Sequence, residues 1–278
     1  MKRLKFHRAI VAIAMMLIGW LPSLAHYIEV DGIYYSEPHV LNGRSVVGVT
    51  YRGASYDEYD EYKGDISIPE SIIYNGRTYS VTSIDVEAFA FCSELTSVTI
   101  PNSVTHIGEY AFSSCYSLTN VKIGSNVTYI NDGAFVQCTS LSNVEIPEGV
   151  SFIGASAFRY CVRFTSIKIP SSIISIGNNA FDGCVRVRSI KCYATLPPGV
   201  SGSSFPNETI YVPTGSRRYY KSKTTEWRYY DIQELLDEAT NHEIGAELYK
   251  DNFYFRITKK TKRYKFSNAI QNTLLQKL

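Results

Sequence analysis

Val81-Thr82-Ser83-Ile84, Glu87-Ala88-Phe89, then Cys92, Leu95, Val98, Ile100 and Pro101 mark out residues 81–103. The same frame returns four times at a spacing of 23 residues. Val81 becomes Val104, Val127, Val150 and Ile173, and Ile84 becomes Ile107, Ile130, Ile153 and Ile176. The Ala-Phe pair recurs at Phe112, Phe135, Phe158 and Phe181, and Cys92 recurs at Cys115, Cys138, Cys161 and Cys184. A fixed period of this length means stacked supersecondary units, each burying its apolar face against its neighbours. One elongated, mainly β solenoid is therefore expected over residues 81–195.

Within each copy the chemistry divides by position. Leu95, Val98 and Ile100 point one way while Ser97 and Thr99 between them point the other, the period of a strand. Stacked copies should align these strands into a parallel sheet on one face, about 4.8 Å apart. Val81 and Ile84 read as a shorter extended segment across the coil. The Ala-Phe-x-x-Cys section between them reads as a compact helical turn with Phe and Cys inward. Pro101, Pro147 and Pro170 stop the strand where no ladder bond is needed. Gly108, Gly154 and Gly177 are expected to ease a corner.

Outside the repeats, the first 25 residues read as a signal peptide. Lys2, Arg3, Lys5 and Arg8 precede an apolar run too short to span a bilayer, and Ser23-Leu24-Ala25 offers small residues for cleavage. Without them the chain holds 24 Lys and Arg against 26 Asp and Glu, a net of −2, which gives no footprint for nucleic acid. Residues 26–80 read as a β-hairpin cap with a first partial coil. Asp31-Gly32 and Asn75-Gly76 supply hairpin turns, residues 45–51 a strand, and Ile66 to Pro69 the first coil. Between strand and coil, the run Tyr56-Asp57-Glu58-Tyr59-Asp60-Glu61-Tyr62 reads as a solvated loop in preference to a calcium site. Residues 196–238 form a truncated coil and a C-terminal cap plugged by Tyr219, Tyr220, Trp227, Tyr229, Tyr230, Ile232 and Leu235. Residues 239–278 carry eight basic against three acidic residues. They read as a weakly ordered basic tail with a strand at 253–257 and a short helix at 270–278.

The pattern of Pro101-Asn102-Ser103-Val104-Thr105-His106-Ile107-Gly108, followed by Ala-Phe-x-x-Cys-x-x-Leu-Thr-x-Val, resembles the BspA-like class of leucine-rich repeat. The cap segments Val30-Asp31-Gly32-Ile33-Tyr34-Tyr35 and Tyr211-Val212-Pro213-Thr214-Gly215-Ser216 are similar to those of secreted Bacteroidetes members. The likeness covers roughly residues 28–236. It implies export to the surface, periplasm or medium, protein-binding or adhesive roles, and no catalytic residues.

The residues themselves give little chemistry to set beside that. Five equivalent cysteines cannot pair off, and their inward alternation with Phe suits buried thiols, with Cys184 and Cys192 the pair best placed for an exceptional disulfide. No Cys-x-x-Cys, Gly-x-Ser-x-Gly or His-Glu-x-x-His occurs, and the five histidines are scattered. Neither metal nor cofactor is expected, and no enzyme activity. Binding is expected at outward columns. One reads Thr99, Lys122, Glu145, Lys168, Lys191, beside Ser97, Asn120, Asn143, Ser166, Ser189. Arg159, Arg163, Arg186 and Arg188 gather in the last two repeats as a second candidate. A protein partner is expected there, host extracellular and surface proteins included. The alternative is a glycan-binding accessory protein of the cell envelope, using aromatic loops such as 56–62.

Overall fold

Each coil stacks on the next through three hydrogen-bonded seams, and two of them run unbroken through the repeats. The computed structural model describes residues 28–51, 62–222 and 226–235, with the backbone of four further strands between 247 and 264. The expected signal peptide, residues 56–61 of the acidic run and the expected helix at 270–278 lie outside the described residues.

The first seam is a parallel ladder through the short segments. Ser83 pairs with His106, His106 with Tyr129, Tyr129 with Phe152, Phe152 with Ser175 and Ser175 with Gly199. It continues through the cap strand Arg44–Thr50, which pairs parallel with Arg77–Ile84, so cap and repeats share one 11-stranded sheet. Hairpins complete the cap. Ile28–Val30 pairs with Ile33–Tyr35 around Asp31 and Gly32, and Ser71–Tyr74 pairs with Arg77–Ile84 around Asn75 and Gly76. Both turns hold two left-handed residues, as a type I′ hairpin turn requires. A third hairpin, His39–Leu41 against Arg44–Thr50, turns at Asn42 and Gly43 with the same geometry. Asn42-Gly43 is thus a hairpin turn additional to the two expected in the cap.

The second seam corrects the expected helical turn. The Phe89 amide donates to the Ala111 carbonyl of the next coil at 2.7 Å, and Phe112, Phe135 and Phe158 do the same to Ala134, Ala157 and Ala180. Residues two before and two after each Phe also donate across, as Glu87 does to Glu109 and Phe91 to Ser113. Amides in between close local turns, as Ala90 to Glu87 and Cys92 to Phe89. A helix would direct every amide back along its own chain. Sending alternate amides outward instead takes left-handed residues, and they recur at Glu87, Tyr110, Gly133, Ser156 and Asn179, and again at Phe91, Ser114, Gln137, Tyr160 and Gly183.

The third seam is the strand face, and there the expected sheet comes in two pieces. Gly64–Ser67, Leu95–Thr99 and Asn120–Lys122 form one, and Ser166–Ile169, Ser189–Cys192, Ile210–Val212 and Ile232–Glu234 the other. The third copy lies between them without strand pairing. Val144 there is half-buried, whereas Val98, Val121 and Ile167 are buried, so the segment sits further from the core. Asn143 bridges side chain to side chain to Thr165 and Ser166 at 3.4 Å.

Inside, the Phe column is stacked with near-parallel rings at 4.9, 5.0, 5.2 and 5.2 Å. Phe205 adds a sixth rung at 5.5 Å, and Trp227 and Tyr230 close that end. Tyr62 closes the other, 4.5 Å from Phe89. Its hydroxyl donates to the Thr50 carbonyl and accepts from the Tyr34 amide, so the last residue of the acidic run is core and not loop. In the C-terminal cap Tyr220, Trp227 and Ile232 are buried as expected, but Tyr219 and Tyr229 are exposed. Each of those two rings lies under the guanidinium of its preceding Arg.

The glycines meet a different need from the one expected. A Cβ at Gly154 would lie 2.4 Å from the Asp132 backbone nitrogen of the preceding coil, so it is backbone approach that excludes a side chain there. Two variants follow, both read by urea unfolding. Phe135→Ala removes a central rung and should lower stability by about 3–5 kcal/mol. Gly154→Ala should destabilise as well, because Asp132 is backbone and cannot rotate away.

Candidate partner-binding surface

The strand face carries two outward columns with different fates. The first runs Asp65, Ser97, Asn120 in one sheet and Ser166, Ser189 in the other, continued by Thr209 and Asp231 just before its last two strands. Its ends are occupied with themselves. Asp65 accepts from Ser97 at 2.6 Å and Thr96 at 2.7 Å, which holds its carboxyl below the usual range. Asp231 accepts from Thr209 at 2.7 Å, with the same direction of shift. Carboxylates thus engage the hydroxyls at both ends of the row.

The second column is the one singled out from sequence. Thr99 and Lys122 are register partners in the first sheet, and Lys168, Lys191, Tyr211 and Gln233 are successive partners in the second. Glu145 belongs to the unpaired third copy, so the structure does not join the five residues into one row. It brings Lys168 and Lys191 together and sets Tyr211 beside them. Sequence reasoning missed Tyr211 because its coil is three residues short of the 23-residue frame. Its position two residues before Pro213, like Thr99 before Pro101, is the signal that could have found it. Like charges directly opposite on neighbouring strands repel. Among the described residues no carboxylate reaches ion-pair distance of either lysine.

The expected arginine cluster is more divided. Arg159 is committed to Asp182 at 2.9 Å and lies 4.6 Å over the Tyr160 ring. Arg188 faces Glu208 at 3.9 Å. Arg163 and Arg186 stay exposed at one repeat position in adjacent coils. A uniform basic patch is therefore absent among these four, because two of them have acidic neighbours.

The thiols are accounted for by packing. All six cysteines are free and buried, and Cys192 lies 3.3 Å from the Tyr220 hydroxyl, not in a disulfide with Cys184. Cys115, Cys138, Cys161 and Cys184 each donate S–H to the Phe carbonyl of the coil before, at 3.0–3.3 Å. That carbonyl sits in the corner where Phe amides run the other way. Burial pushes the Cys115 and Cys161 thiols well above their ordinary range and Cys184 up to about 12. Raised values keep them as thiols and not thiolates, so the native protein at pH 8 should leave a disulfide-exchange reagent unreacted, with all six reacting after denaturation. Rapid native reaction of several thiols would contradict the packing.

Among the described residues no three His, Cys, Asp or Glu gather closely enough to hold a metal ion, and no helix is long and apolar enough to cross a membrane. A shallow cavity of about 360 Å³ in the cap is lined by Ile28, Pro38, Tyr74, Asn75, Arg77 and Tyr79. It holds no pairing of nucleophile and base.

Residues 65–196 match the BspA type leucine rich repeat region, in six copies. No curated protein matches the sequence. Among solved structures, the T. pallidum leucine-rich repeat protein is 21% identical, with 72% of this chain and 98% of that chain covered and a TM-score of 0.51. That likeness supports the solenoid fold. A leucine-rich repeat protein from Bacteroides ovatus is 23% identical over 68% of this chain, with a TM-score of 0.48, and this chain spans 56% of its length. A leucine rich cell surface protein from Faecalibacterium prausnitzii is 22% identical over 84% of this chain and 58% of its own length, with a TM-score of 0.44.

Proposed function

This chain is a leucine-rich-repeat protein of the BspA type, and on that premise we propose that it is an exported, non-catalytic scaffold that captures a protein partner on its strand face. The observation that carries this is the pair Lys168 and Lys191, held in register without a carboxylate and flanked by Tyr211. Two lysines at directly paired strand positions repel each other, and an acidic partner segment relieves that repulsion. Tyr211 adds a large amphipathic surface next to the charges, a residue type enriched where binding energy concentrates. The basic and apolar residues at positions 2–18 support export, with the cell surface as the working location. Host extracellular and surface proteins are the partner class in view, and adhesion is the role that follows.

Charge reversal tests the surface. Immobilised acidic peptides should bind the wild type more strongly than neutral peptides of equal length, and the preference should fade as salt rises. Lys168→Glu with Lys191→Glu should weaken that binding about tenfold or more, in line with the loss of close charge pairs. Equal binding of acidic and neutral peptides would remove this face from consideration. Location is tested separately, by protease treatment of intact cells and blotting. Loss of the band supports surface exposure, and a fully protected band refutes it.

A further inference from the structure

The opposite face of the coil, formed by the unbroken sheet, has a character the strand face lacks. Residues 103–108, 126–131, 149–154 and 172–177 include no Asp, Glu, Lys or Arg, in a chain that is 19% charged. Down the middle of this lane runs the register column His106, Tyr129, Phe152, Ser175. Tyr129 and Phe152 stack at 5.0 Å with planes 4° apart, and Tyr129 is 46% exposed. Beyond Phe152 the column shrinks to Ser175 and then Gly199, so no further ring covers the stack on that side.

Beside the rings runs a row of hydroxyls with a fixed polarity. Thr105 Oγ1 donates to the Thr82 carbonyl at 3.2 Å, and Thr128 Oγ1 donates to the Thr105 carbonyl at 3.1 Å. Thr105 Oγ1 also lies 3.2 Å from His106 Nδ1, so the row's open acceptor is Thr128 Oγ1, whose proton is committed to the Thr105 carbonyl.

We propose that this lane is a binding site for a neutral polysaccharide. A sugar ring offers weakly positive C–H groups to the negative face of an aromatic ring, and Phe152 above Ser175 leaves a place for it as the next member of the stack. Its hydroxyls are donors, which the Thr128 oxygen can accept. An uncharged ligand suits a lane with no ionic group to desolvate or to pair. An ordinary protein interface fits less well, because its centre is built from many large apolar side chains, and here one stacked pair and Ile174 stand among Thr and Ser hydroxyls. The site is separate from Lys168 and Lys191, so it stands or falls independently of the strand-face reading.

Affinity electrophoresis of the full chain tests it, in gels holding soluble β-glucan, galactomannan or polygalacturonate. Retardation by β-glucan or galactomannan and none by polygalacturonate is expected. Tyr129→Ala with Phe152→Ala should reduce the retardation about tenfold, roughly what a stacked ring contributes. Ser175→Arg leaves both rings in place and fills the space beyond Phe152, so it should abolish retardation even if the double variant folds poorly. Lys168→Glu with Lys191→Glu should leave it unchanged. No retardation by either neutral polymer, retardation by polygalacturonate alone, or normal retardation of the Ser175→Arg variant would overturn the proposal. So would a wild-type dimer in sedimentation that Ser175→Arg converts to monomer, which would make the lane a contact between copies.

Discussion

The amides of the Ala-Phe corner set the terms for the rest of the molecule. Because Phe89, Phe112, Phe135 and Phe158 donate to the coil that follows, the corners are tied at one ladder step, and the rings beneath them are brought to about 5 Å. A ring stack at that distance is favourable, and each buried Phe contributes roughly 1.5–3 kcal/mol of transfer free energy. Two left-handed residues per corner are the cost, about 1–3 kcal/mol for each non-glycine. The surrounding seams over-determine them. Gly133 and Gly183 relieve it locally, and each also lets a tyrosine of the preceding coil, Tyr110 or Tyr160, lie flat against its backbone.

The same constraint explains why cysteine suits its position. With the Phe amide turned to the next coil, the Phe carbonyl still needs donors, and it receives the local Cys amide and the S–H from the coil above. Serine would offer a stronger donor, but its hydroxyl costs more to bury beside the aromatic column. Cysteine combines a small apolar volume with a weak donor. A column that invites comparison with redox or metal chemistry is thus a structural element, and the surface is left to carry function.

Much of this was legible in the sequence. Phe, Cys, Val and Ile recur at 23 residues because each must fill the same place in every coil, and the hairpins show through their Asp-Gly and Asn-Gly turns. The corner backbone was not legible, since its left-handed positions are occupied by residues as different as Glu87, Tyr110, Ser156 and Asn179, imposed by stacking and not by propensity. Tyr62 was misplaced because its sequence neighbours are acidic, while its ring belongs to Phe89 in space. The break at Glu145 was hidden because Leu141, Val144 and Ile146 keep the apolar pattern even where strand pairing lapses. For the candidate surface, repeat arithmetic placed Lys168 beside Lys191. It could not supply Tyr211 from a shortened coil, nor the Asp182 and Glu208 that offset two of the arginines.

Native-state hydrogen exchange resolved to single amides tests the claim that the corners and the short-segment sheet, rather than the strand face, hold the solenoid together. The seams described here predict slowest exchange at the Phe112, Phe135 and Phe158 amides, which bond from coil to coil beneath a buried column. They predict much faster exchange at Ser142, Asn143 and Glu145, where the strand face is interrupted. Uniform protection along the strand face through the third copy, with rapidly exchanging Phe amides, would contradict the account.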